Sequence, residues 1–152
     1  MADTTFVEQR TAITFADDPA LDYDAESEKG GVIVDFGEGK TVTVARAGGT
    51  NHRFAEIAQA IEKPFKFLID NRKLPPERRR ELNINIFADA CIVAFAGWTD
   101  ARGDMIPYSK EGARALLRQN GRVFEKVVEI ATEGDNYTRA RKLEAIEAAK
   151  NF

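Results

Sequence analysis

The side chains able to do chemistry are few and scattered. There is one histidine, His52, and one cysteine, Cys91, and no second copy of either supplies metal-ligand spacing. Gly39-Lys40-Thr41 matches the tail of a phosphate-binding loop. Val34, however, stands where that motif needs its first glycine, and a strand pattern follows where a helix is needed. No Gly-x-Ser-x-Gly elbow, dinucleotide fingerprint or catalytic carboxylate pair is present. Arg102-Gly103-Asp104 matches an adhesion tripeptide, but three residues coincide by chance and no basic-then-apolar secretory leader opens the chain. Asp89 is the one provocative acid, because it sits inside an apolar run. An unpaired carboxylate there is costly, so an ion pair is expected, with Arg46, Arg53, Arg72 or the Arg78-Arg79-Arg80 cluster as partner. Arg72, Lys73 and Arg78 to Arg80 read as a solvated face rather than a nucleic-acid patch, since no aromatic residue interleaves with them. The chemistry expected is therefore none: no catalytic residue, no cofactor, no metal, and no enzyme.

The elements that position these residues centre on Ile84 to Trp98. Ile86, Ala90, Val93 and Gly97 fall on one helical line, and Phe87, Cys91, Ala94 and Trp98 on another. A helix apolar around most of its circumference is a buried one. It is too short for a bilayer, which takes about 20 apolar residues. The pattern predicts a mainly α fold with a small N-terminal β-hairpin, an α+β class, its helices wrapped around a buried helix at 82–98. Cys91 is then a small buried hydrophobe.

Before that helix, Val32 to Phe36 and Thr41 to Ala45 are β-branched runs around Gly37-Glu38-Gly39-Lys40, which predicts a hairpin over 32–45. Thr50 or Asn51 is expected to cap a helix carrying Phe54, Ile57, Ile61, Phe65 and Leu68 inward, broken near Glu62 by Pro64. Pro76 suits a first helical position. Ser109 caps a later helix with Leu116 and Leu117 inward, Val123 to Ile130 form another, and Tyr137, Ala140, Leu143 and Ile146 mark the apolar side of a last one. Residues 1–30 have no clear pattern beyond apolar anchors (Phe6, Val7, Ile13, Phe15) and a short strand over Thr11 to Phe15. Six acids from Asp17 to Glu28, with no base among them, read as a solvated, partly flexible arm. The division expected is an acidic arm, 1–30, and one domain, 31–152.

A formal charge of −3 with both signs mixed argues against a surface that attracts nucleic acid or anionic lipid, and one cysteine excludes an internal disulfide. The host cytoplasm is the expected location, with no membrane partner.

One further pattern spans roughly residues 42–130. It runs through Arg46, Gly48, Gly49, Asn51 and Phe54, then Lys63-Pro64-Phe65 and Leu74-Pro75. Ala88-Asp89-Ala90-Cys91-Ile92-Val93 leads to Gly97-Trp98-Thr99-Asp100, and Gly103-Asp104-Met105-Ile106-Pro107-Tyr108-Ser109-Lys110-Glu111 and Leu116-Leu117 close it. The succession resembles the tail assembly chaperones of long-tailed bacteriophages. The resemblance implies a non-enzymatic protein that coats the tape-measure protein, keeps it soluble during tail assembly and meets the tail-tube protein. It also implies that Trp98, Ile106, Pro107 and Tyr108 form a hydrophobic elbow fixing the last helices against the central one. Self-association into a dimer or ring is compatible with it. The alternative is a virion component: a tail-completion, tail-tube or head-decoration subunit.

Overall fold

The computed structural model describes residues 12–151. In chain order the elements are α1 (Ala25–Gly30), β1 (Val32–Asp35), β2 (Thr41–Val44), α2 (Arg53–Glu62), α3 (Lys66–Asp70) and α4 (Pro76–Cys91). They continue with β3 (Ile92–Ala96), α5 (Lys110–Gln119), α6 (Gly121–Thr132) and α7 (Arg139–Lys150). Helical turns hold about 58% of the described residues beside a three-stranded antiparallel sheet, so the mainly α reading with a small β part stands.

The central apolar run is divided. Its helical part, α4, begins with Pro76 at the first helical position and ends at Cys91, and the next five residues are a strand. The expected helix to 98 is corrected here: Ile92-Val93 are β-branched and pair better with a sheet edge than with another helical turn. Along α4, Leu82, Ile84, Ile86, Ala88, Ala90 and Cys91 are buried, and the helix packs against α2, α5 and α6. Burial on every side is what its unstriped sequence requires. Phe87 stands edge-on to Phe54 of α2 at 5.3 Å and to Phe124 of α6 at 6.4 Å, joining the three helices.

The hairpin forms with Val32 opposite Val44 and Asp35 opposite Thr41. β3 adds on the other side of β2, giving the order β1-β2-β3, with an irregularity at Thr43/Val44. Gly97 ends β3 at φ 82°, and a Cβ there would lie 2.0 Å from the Gly39 carbonyl oxygen in the hairpin turn. Only glycine permits that crossing of two backbones.

Pro64 acts as expected. α2 stops at Glu62, one 3-10 turn covers Lys63–Phe65, and α3 resumes from Lys66. The cap of α2 differs: His52 occupies the capping position without a side-chain bond, while Asn51 turns inward. Ser109 caps α5 by accepting from the Gly112 N–H at 2.8 Å.

Most acids of the Asp17–Glu28 stretch are exposed, and they serve as helix caps and in ion pairs. Asp18 caps a 3-10 turn at Pro19–Leu21 and Asp24 caps α1. Asp17 and Asp22 pair with Arg139, Asp24 and Glu26 with Lys142, and Glu28 with Arg46. Arg139 and Lys142 come from the far end of the chain, which no local pattern reveals. Glu28 is only 2% exposed. Its carboxylate accepts from Arg46 at 2.6 Å and from the Thr50 hydroxyl at 3.1 Å. Residues 12–15 form no strand, and Thr11, Phe6 and Val7 lie outside the described residues.

The last helix is also corrected. Tyr137 is buried in a 3-10 turn before α7, its hydroxyl donating to the Val44 carbonyl at 2.9 Å. Leu143 and Ile146 of α7 stay exposed, because this helix packs chiefly on the 3-10 turns Pro19–Leu21 and Gly134–Tyr137 and leaves an open trough toward β1.

Two outcomes follow. Gly97→Ala should lower unfolding free energy by about 3 kcal/mol, and Gly103→Ala, at similar positive φ but in open space, by about 1 kcal/mol, measured by urea denaturation. In addition, the Ser27 hydroxyl hydrogen bond holds the Asp24 carboxyl below its ordinary 3.8. A depressed value contributes stability above the unfolded pKa that is lost as pH falls through the folded one. Protection of residues 17–30 against hydrogen exchange, relative to the intrinsic rate, should therefore fall below about pH 4, and Asp24→Asn, which keeps a capping oxygen, should flatten part of that change.

Candidate interaction surface

Asp89 projects from the last turn of α4 toward α5. Arg114 Nε donates to its Oδ1 at 2.9 Å, and the second guanidinium arm donates to Oδ2. The bidentate pair is a structural clamp between the two helices, and the hydrogen bond to Asp89 holds the Arg114 guanidinium above its usual range. The ion pair was expected from sequence, but its partner was not among those named. Arg46 belongs to Glu28, Arg78 pairs with Glu81, and Arg79 with Glu62. Arg80 lies over the Phe124 ring and Arg53 donates to the Asp89 carbonyl at 3.3 Å.

Cys91 is buried, and loss of hydration pushes its thiol up to about 12, so it is held as a thiol. His52 is an exposed residue at the start of α2. Among the described residues no group of three or more His, Cys, Asp or Glu is placed to hold a metal ion, and no helix is long and apolar enough to cross a membrane.

Trp98 and Tyr108 flank β3, Trp98 just past its last residue and Tyr108 against its first. Trp98 Nε1 donates to the Thr41 carbonyl at 3.0 Å, and the ring meets Phe36 edge-on at 5.8 Å. The Tyr108 hydroxyl donates to the Ile92 carbonyl at 3.0 Å, with its ring edge-on to Phe95. The Ile106 N–H donates to the Trp98 carbonyl at 2.9 Å. Asp100 builds the turn between them, its Oδ1 accepting from the Arg102 and Asp104 N–H groups. The elbow thus ties the loop before α5 to both ends of β3, and its rings spend their polar tips on backbone. Pro107 is exposed beside Tyr108. A cleft of about 330 Å³ remains beside Trp98, floored by Phe95 and Leu116.

Two surfaces escaped the sequence reading. One is a trough of about 740 Å³ between edge strand β1 and α7, whose walls include Val32, Ile33, Val34, Ile130, Ala145 and Ile146. Ile33 is 74% exposed and Ile146 44%. The other is the α2–α3 corner, where Phe67 is 76% exposed among lysines. The alternating β1 pattern hinted at one open face; nothing local marked the trough.

A protein-family model described as YdaY prophage protein matches residues 49–148, about two thirds of the chain. The chain belongs to the YdaY prophage protein family. The match opens at Gly49, beside the buried Glu28–Arg46 pair, and runs through α7. It covers Asp89, Trp98, Pro107 and Tyr108, and the α4–β3 junction. No curated protein and no solved structure matches the chain. The phage association implied by the resemblance is thus shown at the level of a prophage family.

The Asp89 clamp is open to a double-mutant cycle. Asp89→Ala and Arg114→Met should each cost about 1–2 kcal/mol, since the pair is only partly buried. The double variant should lose much less than the sum, giving a coupling near 1 kcal/mol in urea denaturation. Additive losses would remove the clamp.

Proposed function

We propose that this prophage protein is a tail assembly chaperone that holds the tape-measure protein in solution until tube subunits surround it. The observation that carries the reading is the apolar trough between β1 and α7. A monomer seldom leaves a row such as Ile33, Ala145 and Ile146 open to water unless another chain covers it. A long, apolar, helix-rich chain aggregates alone, and a groove with one helical wall and one strand edge offers it both side-chain and backbone contacts. Membership of a prophage family and the order of motifs over residues 42–130 support the same reading. The ionisable groups inside the fold are spent on structure: Asp89 on Arg114, Glu28 on Arg46, and Cys91 in the core. The role is therefore contact rather than catalysis, in the host cytoplasm.

Co-expression with the tape-measure protein of the same phage tests it. The expected result is a several-fold rise in soluble tape-measure protein and its co-purification with this chain. Ile33→Asp with Ile146→Asp should remove most of that gain without lowering the thermal midpoint, because both side chains are exposed. No rise in soluble protein, or stoichiometric amounts of this chain in purified particles by mass spectrometry, would reject the chaperone in favour of a virion component.

A further inference from the structure

The trough has a backbone wall as well as an apolar one. β1 is an edge strand, paired with β2 alone. The Phe36 N–H donates to the Lys40 carbonyl at 2.8 Å, and in this register Val34 faces Val42 and Val32 faces Val44. An antiparallel ladder alternates, so the N–H and C=O groups of Ile33 and Asp35 point to the open side. Among the described residues nothing hydrogen-bonds to them there. Only Asp35 supplies the charge that usually keeps such an edge from pairing.

The same chain carries a segment that suits this edge. Residues 12–16, Ala-Ile-Thr-Phe-Ala, are uncharged and set Ile13 and Phe15 at strand spacing. Ile13 is 82% exposed and Phe15 87%. The segment is rooted where Asp17 and Asp22 pair with Arg139, the first residue of α7. Seven of the eleven large apolar side chains exposed among the described residues lie on this arm and its root, on β1 or on α7: Ile13, Phe15, Leu21, Tyr23, Ile33, Leu143 and Ile146.

We propose that two copies of this chain exchange arms, residues 12–16 of each pairing with β1 of the other and setting Ile13 and Phe15 into its trough. Extended chain is the form that meets the outward groups of Ile33 and Asp35, which a helical occupant would leave unpaired. The charge also fits. The trough's rim is neutralised within the chain, Lys142 by Glu26 at 3.0 Å and Asp24 at 3.4 Å, and Arg141 lies 3.9 Å from Glu144, so an uncharged segment belongs there. Within one chain the two halves stay apart, since the arm leaves its root outward. Root and trough share α7, from Arg139 to Ala149, so two copies about a two-fold axis each reach the other's trough and the exchange closes at a dimer. A contact this small forms on the order of 10 μM and above, which leaves the trough of the dilute chain open to other partners. The proposal does not rest on the tape-measure reading.

The full chain alone tests it, by sedimentation equilibrium from about 1 μM to about 500 μM. The average mass should rise from monomer toward dimer. Ile13→Asp with Phe15→Asp, and separately Ile33→Asp with Ile146→Asp, should each weaken the dimer at least about tenfold with an unchanged thermal midpoint, since all four side chains are exposed. Chains carrying Phe15→Cys mixed with chains carrying Ile146→Cys should cross-link through a short bis-maleimide more than either does alone, the buried Cys91 staying silent. A chain that is monomeric at every concentration overturns the exchange, and so does a dimer that neither pair of substitutions weakens. Cross-linking within one chain of a Phe15→Cys, Ile146→Cys double variant at high dilution also overturns it, by placing the arm on its own trough. Each of these results leaves tape-measure capture to its own test.

Discussion

The carbonyl groups at the end of α4 impose the constraint on which the rest depends. A helix leaves its last carbonyls without partners, and here they are enclosed where the helix runs directly into a strand. Three of the last four, those of Asp89, Ala90 and Cys91, are met from one short segment of chain. The Ala45 N–H donates to the Cys91 carbonyl at 2.6 Å, and Arg53 reaches the Asp89 carbonyl. Asn51, 4% exposed, divides its amide between the Ala90 carbonyl at 3.1 Å and the Arg46 carbonyl at 2.8 Å. Left unmet, each would cost about 1–3 kcal/mol. The end of the hairpin and the start of α2 are thereby fixed to the central element, and β3 is delivered beside β2.

That junction orders everything outside it. Because Ala45 is bound to Cys91, Arg46 and Ala47 follow in fixed positions, Arg46 donating to Glu28 and so holding α1, and the Ala47 N–H donating to the Ala131 carbonyl of α6. Tyr137 reaches the same strand through Val44, which brings α7 alongside β1 at a distance that leaves the trough open. On the other side the Phe54–Phe87–Phe124 stack carries α2 and α6, and the Asp89–Arg114 clamp carries α5. The surfaces assigned to contact are therefore held on rigid supports. No loop has to find its conformation before a partner can dock, which lowers the entropy of binding to be offset.

Much of this frame was legible in the residues. Gly37 to Lys40 between two β-branched runs announced the hairpin, Pro64 the break in α2, Pro76 the start of α4 and Ser109 the start of α5. Each signal is local, a fixed φ or a side-chain cap. β3 was hidden because no breaker separates Cys91 from Ile92: an apolar run reads alike as buried helix or buried strand. Asp89 demanded a partner, but local sequence cannot say which of many arginines folds back to it, and Arg114 lies on a helix not yet placed. The ion pairs of the acids from Asp17 to Glu26 were hidden for the same reason, since Arg139 and Lys142 meet them only in three dimensions. Asn51 looked like a cap because asparagine before a helix usually is one. Open surfaces such as the trough are defined by what the fold leaves uncovered, so they have no motif at all.

Shape offered by a rigid interior is the central claim, and native-state hydrogen exchange with and without the tape-measure protein tests it most directly. The expected result is new protection in β1 and in α7, with the amides of α4 and β3 already the slowest and unchanged on binding. Faster exchange in α4 and β3 upon binding would mean that the core opens to accept its partner. That outcome, or a profile that does not change anywhere, would contradict the claim.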